Sequence, residues 1–146
     1  MMPSDAPPPL PEDLFAAARQ ARTNAYAPYS RFKVGAAVRT ADGRLFAGAN
    51  MENAAYPQGQ CAEANALGAM VSAVGGQRII EVAVVGGRED DPQDLCTPCG
   101  GCRQRLREFG TETLLIHICG PDGRRHTTTL GVLLPLSFGP DNLDIV

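Results

Sequence analysis

Two cysteines three residues apart, in Pro98-Cys99-Gly100-Gly101-Cys102-Arg103-Gln104, constrain what this chain can fold into more than any other stretch. The segment from Cys99 to Phe109, closed by Gly110, reads as a helix, and positions three apart near its start share a face. A helix start also favours thiolates, because its unpaired N–H groups carry partial positive charge. Two thiolates held in this way are half of a tetrahedral zinc site. If the ion is catalytic, the other half is one more protein ligand and a water. Cys61-Ala62-Glu63 supplies both a thiol and a carboxylate beside it. The fold must then bring two distant helix starts together.

Composition sets the context for that site. The chain has 146 residues, enough for one domain with a real core. Its 13 basic and 16 acidic residues give a formal net charge of −3, which argues against an electrostatic footprint for nucleic acid or an anionic membrane. Five cysteines is an odd number, and Cys96, Cys99 and Cys102 are crowded together. A secreted disulfide scaffold favours an even, dispersed set. The expected setting is reducing and cytoplasmic. Residues 1–10 carry four prolines and no basic region followed by an apolar run, so they read as a flexible tail and not as a signal peptide. Residues 11–146 form the single expected domain.

The rest of the chain alternates helices and strands. Pro11-Glu12-Asp13 opens a helix carrying Leu14, Ala17, Ala18, Ala21 and Ala25, which ends before Pro28. Phe32 to Thr40 and Leu45 to Ala49 are strands joined by Asp42-Gly43, a strong hairpin signal. Residues 50–60 read as a loop. Cys61 to Val74 is a small-residue, buried helix closed by Gly75-Gly76. Ile79 to Gly86 is an inner strand, Gly87 to Leu95 a flexible acidic loop, and Thr113 to Cys119 another apolar strand. After the Pro121-Asp122-Gly123 turn, Arg124 to Thr129 forms an edge strand, with one short helix beyond Leu130. The order predicts an α/β fold: a three-layer α/β/α sandwich around a five-stranded mixed sheet, mostly parallel apart from the first hairpin.

Cys-x-Glu on one helix start and Pro-Cys-x-x-Cys on another matches the signature of zinc deaminases, in its three-cysteine form. The match extends along the chain. Residues 27–37 (Ala27-Pro28-Tyr29-Ser30-Arg31-Phe32 onward), Asn50-Met51-Glu52-Asn53-Ala54-Ala55-Tyr56-Pro57, both cysteine motifs and Leu133-Leu134-Pro135-Leu136-Ser137-Phe138 together resemble the small cytidine deaminases of nucleotide salvage. The resemblance runs in one unbroken order over roughly residues 12–142.

That resemblance implies zinc-dependent hydrolytic deamination of cytidine and deoxycytidine, with one Zn²⁺ per subunit held by Cys61, Cys99 and Cys102. Zinc lowers the pKa of a bound water to about 7 and so makes a nucleophile available at neutral pH. Glu63 is the implied proton shuttle, from water to ring N3 and then to the departing amine. Asn50 and Glu52 match residues that hydrogen-bond the ribose hydroxyls, and Phe32 matches an aromatic that packs on the base. Ala54 falls in the same substrate-reading segment. Tyr56 and Phe138 match aromatics that complete a neighbouring subunit's pocket in tetrameric members. The implied partners are a small nucleoside and three further copies of the chain, with no nucleic-acid polymer and no membrane.

Other readings stay open at this level. A closed structural zinc site would recruit Cys96 as fourth ligand. An iron–sulfur cluster on Cys96, Cys99 and Cys102 lacks a fourth cysteine in the run. A deaminase of modified or antibiotic cytosine nucleosides would share the zinc core, though not the Asn50-to-Tyr56 segment. His117 and His126 lack metal-ligand spacing and read as structural or exposed, and Cys119 as a small core residue. One departure matters electrostatically. Three-cysteine members of the family usually have arginine directly after the catalytic glutamate, where this chain has Ala64. Zn²⁺ with three thiolates carries −1, so Arg103 or another cation is expected near the sulfurs.

Overall fold

The computed structural model describes residues 8–88, 90 and 95–143. Helix α1 spans Glu12–Thr23, and strands β1 (Lys33–Thr40) and β2 (Leu45–Ala49) form the hairpin. Helix α2 (Ala62–Val74) leads to β3 (Ile79–Gly87), and α3 (Gly100–Phe109) leads to β4 (Leu115–Cys119). Strand β5 (Arg125–Thr129) returns along β4 and runs into the four-residue α4 (Leu130–Leu133). Two short 3₁₀ turns, Tyr56–Gln58 and Pro140–Leu143, sit in segments without other regular structure.

The sheet has five strands in the order β2-β1-β3-β4-β5. The expectation of a mostly parallel sheet is wrong: only β3 and β4 pair in parallel, while β1–β2, β1–β3 and β4–β5 are antiparallel. The crossover rule itself holds. Helix α2 connects two strands that run the same way, but those strands are β2 and β3, and β1 lies between them. The second antiparallel hairpin, at the Pro121-Asp122-Gly123 turn, reverses β5 as well.

Three layers follow from the side-chain alternation of the strands. Val34, Ala36, Val38, Val82, Val84, Ile116 and Ile118 face α2 and α3, where Ala66, Leu67, Met70 and Leu106 close the larger core. Ala37, Ala83, Val85 and Cys119 face the other way, under Leu14 and Ala18 of α1. Two glycines set how closely the layers approach. A Cβ at Gly35 would fall 1.9 Å from the Ala18 carbonyl oxygen of α1, and one at Gly48 would fall 2.4 Å from the Ala66 amide nitrogen of α2. Helix α2 therefore lies directly on β2, fastened there by Asn65 Nδ2 donating to the Ala49 carbonyl at 2.7 Å. On the opposite face Arg22 of α1 is buried and donates to the Lys33 and Gly87 carbonyls, at one end of β1 and β3.

The expected element boundaries hold to within two residues except at the end of α1, which stops at Thr23 and so excludes Ala25, the Asn24 and Ala25 amides turning back to the Ala21 and Arg22 carbonyls. The flexibility expected of the tail falls mainly on residues 1–7, and that of the acidic loop on 89 and 91–94, which lie outside the described residues.

Candidate metal and substrate site

Cys61 and Cys99 occupy equivalent positions, each the residue that precedes its helix, and neither side chain caps it. Both backbones are extended there (φ −76°, ψ 155° and φ −65°, ψ 166°), and both carbonyls accept the first intrahelical bond, from Asn65 and Arg103. Both thiols are thus free for another role at a helix N-terminus. Cys102 sits in the first turn of α3, fully buried.

The three sulfurs lie within 4.8 Å of one another. Thiolates arranged tetrahedrally about zinc, with Zn–S near 2.3 Å, stand ~3.8 Å apart, so the donor set suits that ion in both chemistry and spacing. Among the described residues this is the cluster that could hold a metal, and Cys96 is not part of it. Burial, with the nearby charges of Glu63, Cys61 and Cys99, pushes the Cys96 thiol up to about 12. Its sulfur instead fills the space beside Gly86, 2.5 Å from where a Cβ would stand.

The cluster is primed unevenly. Hydrogen bonding with Cys102 lowers the Cys61 pKa to about 6, helped by Cys99 and the positive charge of Arg105 and opposed by burial. The same hydrogen bond, burial and adjacent negative charges push Cys102 upward. Cys61 is the first of that pair to ionise.

Glu63 is 4% exposed, in the first turn of α2. Burial raises its pKa, the Cys61 charge adds to that, and hydrogen bonding with its own backbone and Cys102 opposes it. A buried carboxyl whose pKa is raised, beside a cluster of thiols and lining a cleft, suits reversible proton transfer.

The cleft above has a volume of about 670 Å³, within the range that holds a nucleoside-sized ligand. Phe32, Asn50, Glu52 and Tyr56 line it together with Cys61, Glu63 and Cys99. Ala54 and Phe138 do not. Ala54 is exposed in the neighbouring loop, and Phe138 is 57% exposed in the C-terminal segment. Asn50 has a different emphasis from the one expected. Its amide oxygen accepts from Val34 N at 2.9 Å and its nitrogen donates to the Phe32 carbonyl at 2.8 Å. It clamps the entry to β1, leaving one N–H and one lone pair for a ligand.

Glu52 is held by a turn that carried no functional reading in the sequence. Its Oε1 accepts from the Tyr29 and Ser30 amides, and its Oε2 from the Ser30 hydroxyl. That hydroxyl also accepts from Phe32 N at 3.0 Å, joining the acid to the aromatic. The hydroxyl and amides hold Glu52 below the ordinary glutamate range, against a smaller opposing effect of burial. Tyr29 meets Tyr56 edge-to-face at 5.8 Å on the same wall. Both were hidden because their partners are more than twenty positions away.

The named cation, Arg103, turns away from the sulfurs and donates to the Pro98 and Leu133 carbonyls. Arg105 is the residue that approaches them, with Nη1 3.9 Å from Cys102 Sγ. Residues 10–118 match the family model described as the cytidine and deoxycytidylate deaminase zinc-binding region.

The chain belongs to the cytidine and deoxycytidylate deaminase family.

A curated cytidine deaminase of Sporosarcina psychrophila is 38% identical over 132 residues, covering 90% of this chain and 93% of the relative. One of Mycobacterium tuberculosis is 44% identical over 126 residues, 86% of this chain and 87% of the relative. Among solved structures, the cytidine deaminase of Burkholderia pseudomallei superposes with a TM-score of 0.77 at 43% identity, covering 86% of this chain and 97% of that one. The M. tuberculosis cytidine deaminase crystal structure gives 0.73 at 42%, covering 87% and 95%. The deaminase fold expected from the sequence is thus the fold observed.

Proposed function

We propose that this enzyme hydrolyses cytidine and deoxycytidine to uridine and deoxyuridine, releasing ammonia. The observation that carries the reading is that buried Glu63 and two of three clustered thiols, Cys61 and Cys99, line one nucleoside-sized cleft.

Cys61, Cys99 and Cys102 would hold one zinc ion, which when bound acts as a Lewis acid that makes water nucleophilic at neutral pH. Glu63 takes the proton from the attacking water and delivers it to N3 of the cytosine ring as C4 becomes tetrahedral. It then protonates the 4-amino group as the C4–N bond breaks. Water contributes the new carbonyl oxygen, one of its protons stays on N3 and the other leaves with the amine, so cytidine and water balance uridine and ammonia. The raised pKa of Glu63 suits both directions of transfer.

Phe32 packs on the base. Glu52, fixed by Ser30 and two amides, is an acceptor for a ribose hydroxyl, and Asn50 supports the same edge while it holds β1 in place. Ala54 lies in the same loop, between Glu52 and Tyr56. Tyr56 is 74% exposed and Phe138 57% exposed, and Leu136 beside Phe138 is fully exposed. Aromatic and aliphatic side chains this open favour contact with other copies of the chain, in a homotetramer where Tyr56 and Phe138 reach a neighbour's cleft. Among the described residues no helix is long and apolar enough to cross a membrane, and the free thiols suit the reducing cytoplasm and a place in pyrimidine salvage.

The test is an absorbance assay of the purified protein against a panel of cytosine nucleosides, with and without a chelator. Turnover of cytidine and deoxycytidine that is lost with the chelator supports the reading. Turnover confined to modified or antibiotic cytosine nucleosides reassigns the substrate. Zinc retained with no turnover of any of them leaves a structural metal module.

A further inference from the structure

The anionic centre of the site has a cation from an unexpected place. Arg105 lies three residues beyond Cys102 on α3, on the same helix face. Long helical side chains lean back over the preceding turn, and this one brings Nη1 to 3.9 Å from Cys102 Sγ. The first turn leaves room for it. A Cβ at Gly101 would stand 3.2 Å from that nitrogen and 3.9 Å from Cys99 Sγ, so the guanidinium occupies space that a side chain at 101 would take.

The other cations of α3 have different work. Arg103 bridges the Pro98 and Leu133 carbonyls, and Arg107 binds Ser137 and Asp141. Arg105 forms no ion pair with a carboxylate among the described residues. Three thiolates around Zn²⁺ carry −1, and ionised Glu63 would make the centre −2. Negative charge gathered that closely, with Cys102 and Glu63 buried, favours an opposing charge nearby.

We propose that Arg105 is the charge-compensating residue of the metal centre: its guanidinium donates to Cys102 and withdraws electron density from the sulfurs. It touches neither substrate nor reacting atoms and acts through the ligands, as a positioning residue. The proposal rests on the zinc reading given above. It adds that this chain balances its centre from the second turn of α3, by a residue that is not adjacent to the proton-shuttling glutamate.

Cobalt substitution tests it without reference to activity. Cobalt(II) bound by three thiolates gives sulfur-to-metal charge-transfer bands, whose energy falls as the sulfur lone pairs rise. Removing a neighbouring positive charge raises those pairs. In Arg105→Gln the band should shift to longer wavelength, with Arg105→Lys between it and the parent protein. Release of zinc by iodoacetamide should become severalfold faster in Arg105→Gln, because unshielded thiolates are better nucleophiles. A band and release rate identical in all three proteins would overturn the role of Arg105. Absence of any thiolate charge-transfer band in the parent protein would instead overturn the metal reading beneath it. Arg105 is exposed on a helix surface and glutamine keeps its helix propensity, so both variants should fold.

Discussion

The Ser30 hydroxyl donates to Glu52 Oε2 at 2.5 Å, across 22 positions of sequence. This contact joins the turn before β1 to the loop after β2 and fixes the carboxylate assigned to the ribose. Ser30→Ala should raise KM for cytidine severalfold with little change in kcat, since the loss falls on binding and not on the reacting atoms. The pH dependence has a definite sign. A carboxylate whose folded pKa is depressed contributes stability above its unfolded pKa and loses it as pH falls through the folded value. Ser30→Ala moves the Glu52 titration back up, so in a carbon-detected NMR titration its midpoint should rise toward the ordinary glutamate value. An unmoved midpoint would show that the two amides alone hold the acid.

Gly48 controls the seat of the helix that carries Glu63. With a Cβ placed 2.4 Å from Ala66 N and 2.8 Å from the Ala62 carbonyl, Gly48→Ala must lift α2 off β2. We expect a loss of ~1–3 kcal/mol in urea denaturation, the usual cost of overpacking, together with weaker zinc retention. Gly68, in the middle of the same helix, has nothing within 4 Å of a Cβ. Gly68→Ala should instead stabilise the chain by ~0.5–1 kcal/mol through helix propensity.

His117 belongs to a polar contact on the face of the sheet turned away from the cleft. It is fully buried, with Nε2 2.6 Å from Glu81 Oε2 and Nδ1 2.8 Å from Thr127 Oγ1. His117→Ala removes the hydrogen bonds to Thr127 and Glu81, leaving Glu81 with Arg39 at 3.8 Å, and opens a cavity, so thermal or urea unfolding should record a loss of about 2–4 kcal/mol. Zinc content and KM should stay at parent values. A change in either would mean that this face communicates with the site.

Much of the site was legible in the sequence because thiol chemistry leaves few options. The Cys99–Cys102 spacing on a helix start and the second Cys-x-Glu helix start required two converging N-termini, which is how α2 and α3 meet. Helix and strand limits were readable because Pro11, Asp42-Gly43 and Gly75 mark ends chemically. Strand direction was less accessible. Nothing local in β1 says that it inserts between β2 and β3; the pairing of Ala36 with both Gly48 and Val84 is a tertiary choice. The roles of Ser30 and Tyr29 are inaccessible for the same reason, since the acid they hold is 22 and 23 positions away. Arg105 is a different case. Its helical spacing from Cys102 was visible, but Arg103 lay nearer in sequence, and only the fold shows Arg103 occupied by the Leu133 carbonyl.

The central claim is that three sulfurs hold one zinc while Glu63 moves the proton. Zinc content and cytidine turnover measured side by side for the parent protein and Glu63→Gln address both halves at once. The account predicts about one zinc per subunit in each, with kcat lowered at least ~10²- to 10⁴-fold in the variant. Parent-like turnover in Glu63→Gln, or a parent protein that binds zinc and leaves cytidine untouched, would contradict it.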